Sequence, residues 1–135
     1  MAAQPPGGRT PPPAKKLPGP YYKLDELKEK GLFRLAVVMK KRAVQPVMQR
    51  VGIGEPEAEA FIRTKLAKLS ADNYHSTVEM DWDPVVIADV YGVSDEHGGW
   101  YIKFYMENGR VSLVSCHEPE HDMTCVDGSK VVAST

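Results

Sequence analysis

The sequence predicts an α+β domain in which N-terminal helices pack on an antiparallel sheet. Two observations carry that expectation. Up to residue 69 the apolar residues recur at helical spacing, and from about residue 73 they alternate with period two. Asn108-Gly109 then sits between two alternating runs, and that dipeptide is the strongest short hairpin signal in the chain. At 135 residues the chain is long enough for one core and too short for two.

Seven of the 11 prolines lie in the first twenty residues, alongside Gly7, Gly8 and Gly19. Residues 1–20 bury almost nothing on that composition and are expected to be a disordered, locally extended tail. Leu24 and Leu27 in KLDELKEKG, with Gly31 as a stop, predict a helix of about two turns. FRLAVV then reads as a brief strand. MKKRAVQPVMQRVG has helical apolar spacing but contains Pro46, so the helix kinks there or a new turn begins.

The clearest helix follows Gly54. Pro56 occupies a favoured first-turn position, and Ala58, Ile62, Leu66 and Leu69 form one apolar stripe. Strands are expected over 73–80, 85–93, 100–107 and 111–117. The last two form a hairpin with two available registers. A two-residue Asn-Gly turn sets Tyr101 opposite Cys116, whereas a three-residue loop with Gly109 in a bulge sets Tyr101 opposite His117. The second register is favoured, because it places Cys116 and Val114 against the Ile102 and Phe104 face, although it leaves Leu113 on the polar side.

Charge is distributed unevenly. Residues 21–70 hold 11 Lys/Arg against 6 Asp/Glu, and residues 71–135 hold 3 against 12. A nucleic-acid ligand must therefore find its phosphate attraction mostly in the N-terminal half. Taken alone, Lys28, Lys30, Lys40, Lys41 and Arg42 read as solvated helix faces. No run of 18 apolar residues occurs, and MAAQPPGG has neither the basic nor the apolar region of a secretion signal, so membrane insertion and secretion are not expected. With only Cys116 and Cys125, no disulfide framework is expected, and a reducing, cytoplasmic setting fits.

No GxGxxG, phosphate-loop, GxSxG or HExxH pattern is present, which removes most weight from dinucleotide enzymes, nucleotide hydrolases, serine esterases and zinc proteases. What remains is a polar set on the expected sheet: His75, Asp89, Tyr91, Tyr101, Lys103, Tyr105 and His117. Tyr101, Lys103 and Tyr105 alternate with Ile102, Phe104 and Met106, so one face of that strand is polar. His97 reads as a loop residue. Cys116, His117, His121 and Cys125 do not match a standard zinc spacing, and strand neighbours point to opposite faces, so no metal or other cofactor is expected. Asp81 and Asp83 flank Trp82 in a turn and read as solvated carboxylates, while Trp82 and Trp100 are candidate base-stacking residues.

Taken in order, YYKLDELKEKGLFRLAV, EAEAFIRTKLAKLSADNYHS, DWDPVVIADVYGV and GGWYIKFYMENGRVSLVSCHE resemble the MqsR-type (motility quorum-sensing regulator) toxins over roughly residues 21–118. The resemblance implies a bacterial type II toxin of RelE-like α+β fold, an mRNA endoribonuclease restrained by a cognate antitoxin, meeting DNA only through the antitoxin complex. It further implies a site at four positions that here read His75, Ala88, Tyr101 and His117, of which only the tyrosine matches the family residue. Two histidines at the family's lysine positions remain chemically sensible, since imidazoles with an unperturbed pKa near ~6.5 supply base, acid and charge at neutral pH.

The expectation is thus a domain over 21–118, a flexible extension over 119–135, and metal-free cleavage of single-stranded mRNA to a 2′,3′-cyclic phosphate. His75 and His117 are the acid/base pair, Tyr101 an orienting hydroxyl, and Lys103 and Tyr105 substrate contacts. The competing reading is a catalytically silent, toxin-like module that grips an antitoxin or another protein.

Overall fold

A computed structural model describes residues 16–133. Six strands form one sheet in the order β1-β3-β4-β5-β6-β2: β1 Lys16–Leu17, β2 Val37–Val38, β3 Tyr74–Met80, β4 Asp83–Asp95, β5 Gly98–Glu107 and β6 Arg110–His117. All neighbours are antiparallel except β2, which lies parallel to β6. Helices α1 (Leu24–Glu29) and α3 (Glu55–Ala67) supply much of the cover on one face of this sheet. The α+β class and the four long strands agree with the periodicity that predicts them.

In α3 the stripe Ala58, Ile62 and Leu66, continued by Leu69, is buried against Tyr91, Trp100, Ile102, Phe104, Val111, Leu113 and Cys116. Ile62, Leu66 and Leu69 each contribute roughly 1.5–3 kcal/mol on leaving water, so this layer dominates stability. Between β2 and α3 the chain is helical from 40 to 52. Wide π-turns, Lys40–Val44 and Met48–Gly52, flank the short helix α2 (Gln45–Val47) around Pro46, whose ring nitrogen cannot donate to an α-helical ladder. The brief strand expected at FRLAVV shrinks to Val37–Val38, preceded by a 3₁₀ turn at Leu32–Leu35.

The second face carries a smaller cluster of Val78, Met80, Ala88, Val90, Tyr105 and Val114, and here the structure departs from expectation. Residues 119–133 are not a loose extension. β7 (Met123–Thr124) and β8 (Lys130–Val131) form a hairpin whose Met123, Cys125 and Val131 are buried against this face. Gly92 and Gly99 admit it: a Cβ at Gly99 would stand 2.6 Å from Val131 Cγ1, and one at Gly92 3.1 Å from Met123 Cε. The tail expected over 1–20 is also shorter at its end, because β1 pairs with β3 and the Tyr21 and Tyr22 amides donate to the buried Asp89 carboxylate at 3.0 and 2.8 Å. The rest of the Pro-rich stretch, residues 1–15, lies outside the described residues. No helix among the described residues is long and apolar enough to cross a membrane.

Candidate functional site

On the second face, between the sheet and the segment 120–123, lies a groove of about 410 Å³ lined by His75, Tyr101, Lys103, His117, Arg42 and His121 among others. Two β-bulges build it. Near its tip the β5–β6 hairpin is closed by a two-residue turn, Glu107 pairing with Arg110 and both Asn108 and Gly109 at positive φ (54° and 74°). One extra residue, Val114, then shifts the register, so that Phe104 pairs with Leu113 but Tyr101 pairs with His117. The expected pairing is therefore present, but a mid-strand bulge produces it rather than a three-residue loop. The bulge also puts both Leu113 and Cys116 in the helix-side core and turns Val114 to the other face, contrary to both placements expected for Leu113 and Val114.

The second bulge is His75 itself. Tyr74 pairs with Tyr91 and Ser76 with Val90, which leaves His75 as the unpaired residue of β3, and both His75 and Ser76 line the groove. Its Nδ1 lies 2.9 Å from the Thr124 carbonyl, and His117 Nδ1 lies 2.8 Å from the Glu118 carbonyl. A carbonyl only accepts, so in both rings Nδ1 carries the hydrogen and Nε2 holds the lone pair when the ring is neutral.

Tyr101 and His117 stack, ring centroids 5.1 Å apart and planes 12° from parallel. Arg42 Nη2 stands 3.3 Å from His117 Nε2, and with Nδ1 committed to Glu118 the guanidinium is the donor. Burial lowers the His117 pKa, and the charges of Arg42 and Lys103 lower it further, against the Glu118 bond and the Glu120 charge. Lys103 is likewise lowered by burial and by Arg42. Burial raises the Tyr101 phenol, opposed by Arg42, so at neutral pH it stays a hydroxyl donor.

Of the expected site residues, His75, Tyr101, Lys103 and His117 come together. Tyr105 does not: it is buried in the second cluster beneath Trp82 and does not line the groove. Ala88, the fourth position that the resemblance implies, is buried and contributes no polar group. Trp100 is also removed as a base-stacking candidate, since it is fully buried against Phe61 and Arg50.

No family model and no curated protein matches this chain. The site therefore rests on its own geometry. Sequence reasoning missed Arg42, which looked like part of a solvated charge run. The parallel pairing of β2 with β6, and Met39 N–H donating to the Leu113 carbonyl at 3.1 Å, start the π-turn over β6 and carry Arg42 to His117. It also missed His121, Glu120 and Asp122, which reach the groove because the chain after β6 folds back. Cys116 faces the helix-side core, where burial pushes its thiol up to about 12, so it cannot join His117 in one site.

Proposed function

We propose that this groove cleaves single-stranded RNA by metal-free acid/base catalysis, as a toxin-like endoribonuclease acting on mRNA. The observation that carries the reading is the pair of imidazoles, each fixed through Nδ1 by a backbone carbonyl and each presenting Nε2 chemistry, in one groove with Arg42, Lys103 and the Tyr101 hydroxyl. His117, whose pKa is depressed, is neutral at pH 7 and serves as base, removing the 2′-hydroxyl proton. The 2′-oxygen then attacks phosphorus and the P–O5′ bond breaks. His75, acting as the general acid, protonates the departing 5′-oxygen, leaving a 2′,3′-cyclic phosphate. Arg42 and Lys103 stabilise the charge on the phosphoryl oxygens, with Arg42 leaving His117 Nε2 for the phosphate as substrate arrives.

The acidic side chains Asp81, Glu120 and Asp122 line the same groove and limit how much polyanion it accepts, which suits a short single strand better than a duplex. Incubating the protein with mixed-sequence RNA, free and on ribosomes, tests the reading: fragments with cyclic phosphate ends are expected, and intact RNA in both settings contradicts it.

One observation favours the second reading, a protein-binding module without catalysis. Leu35, Val37 and Met39 are all exposed on and beside the short edge strand β2, next to Lys40 and Lys41. An edge strand with those exposed apolar side chains is a surface for a protein partner such as an antitoxin, cytoplasmic like the chain itself in this proposal. A tight partner together with no RNA cleavage would favour this reading.

A further inference from the structure

The chain has two tryptophans, Trp82 and Trp100, and they sit in opposite environments. Trp100 is fully buried, whereas Trp82 is 59% exposed at the turn between β3 and β4. Trp82 is held there by contact with Tyr105, ring centroids 5.9 Å apart at 63°, and Asp83 Oδ1 accepts from Val85 N–H at 3.1 Å to fix the turn. Tyr105, Lys103 and Tyr101 alternate along one face of β5, so the indole stands at the end of a row that begins with the tyrosine stacked on His117. Four residues at about 3.3 Å each separate Tyr101 from Tyr105, a span of roughly 13 Å. Asp81, the residue before Trp82, lines the groove itself.

We infer that Trp82 is a base-stacking subsite, receiving a nucleotide of single-stranded RNA remote from the phosphate held at His117. The proposal rests on the ribonuclease reading of the groove. Three features support it. An exposed indole offers a π-face to any base, and such stacking tolerates sequence. The row leading to it carries Lys103, so a strand crossing from the histidines meets a cation on the way. Asp81 and Asp83 flank the indole and repel phosphate, which leaves the base face rather than the backbone as the group that settles on the ring. The span of ~13 Å exceeds what one nucleotide step covers, so a dinucleotide occupying the histidine site does not reach Trp82, and an octanucleotide does.

The test compares the parent with Trp82→Ala and Trp82→Phe, on a cleavable dinucleotide, a cleavable octanucleotide and a 2′-O-methyl octanucleotide that cannot be cut. Because Trp100 is buried, quenching of tryptophan emission by the uncut octanucleotide reports on Trp82. Expected are quenching in the parent, an octanucleotide KM raised roughly tenfold in Trp82→Ala and restored in Trp82→Phe, and unchanged dinucleotide cleavage in all three. Emission that the octanucleotide leaves unmoved, with equal cleavage by parent and Trp82→Ala, overturns the subsite while the ribonuclease reading stands. Quenching without cleavage of any RNA keeps the subsite and overturns the ribonuclease reading.

Discussion

Tyr101 and His117 face each other across β5 and β6 with their rings stacked 5.1 Å apart, and they do so only because Val114 is an extra residue in β6. Without that bulge the same two strands would set Cys116 against Tyr101 and send the imidazole into the helix-side core. Deleting Val114 takes out that extra residue and leaves Phe104–Leu113 and Lys103–Ser115 as successive pairs, so Tyr101 should stay opposite His117 and cleavage should persist in the variant. Loss of cleavage in a folded Val114 deletion, with the His117 ring no longer against Tyr101 by NMR, would contradict the register argument.

Arg42 sits 3.3 Å from His117 Nε2 and contributes to its lowered pKa, second to burial among the causes that lower it. Replacing Arg42 by Ala should raise the His117 pKa toward its ordinary value, seen by NMR titration of the ring proton. If His117 is the base, the acid limb of kcat/KM should move to higher pH with it, while cleavage falls at least tenfold through loss of phosphate contact. A His117 pKa that does not rise would remove Arg42 from the site.

Gly99 lies under the C-terminal hairpin, where a Cβ would stand 2.6 Å from Val131 Cγ1 and 2.9 Å from the Val132 carbonyl oxygen. Gly99→Ala should cost about 1–3 kcal/mol by overpacking and loosen the hairpin. The Val126 amide, which donates to the Tyr74 carbonyl at 2.8 Å, should then exchange faster with deuterium. Since Thr124 also anchors His75, cleavage should fall in the same variant.

The Cys116 thiol is held near pKa 12 by burial, above its value of 9.0 when exposed. The unfolded chain therefore loses this proton at lower pH than the folded one does. Any stability linked to Cys116 is present below pH 9 and is lost as pH rises from about 9 to 12. Thermal unfolding across that window should show the decline, and a thiol reagent should find Cys116 unreactive in the folded protein at pH 8.

Helix α3 and strands β3 to β6 were legible in the sequence because each announces itself through local periodicity: Ala58, Ile62 and Leu66 at helical spacing, Tyr101 to Met106 at strand spacing. The groove was legible only in part. His75, Tyr101, Lys103 and His117 lie on strands whose pairing follows from the hairpin, whereas Arg42 arrives through a parallel contact between β2 and β6 that joins residues about 75 apart and leaves no local trace. The bulges at His75 and Val114 are equally silent, being resolved by which face must be apolar once helices cover it. The C-terminal hairpin did leave a signal. Asp127-Gly128 is a turn dipeptide of the same class as Asn108-Gly109, with Gly128 at φ 87° and Asp127 accepting from the Ser129 amide at 2.9 Å, but strands of two residues on either side carry too little periodicity to stand out.

The central claim is that His75 and His117 together cut RNA. The most direct measurement is cleavage of mixed-sequence RNA by the parent beside His75→Ala, His117→Ala and the double variant, each confirmed folded, with end-group analysis of the fragments. Cyclic phosphate ends from the parent, lost more than tenfold in each single variant, are the predicted result. Equal cleavage by a folded double variant, or none by the parent on free or ribosome-bound RNA, would contradict it.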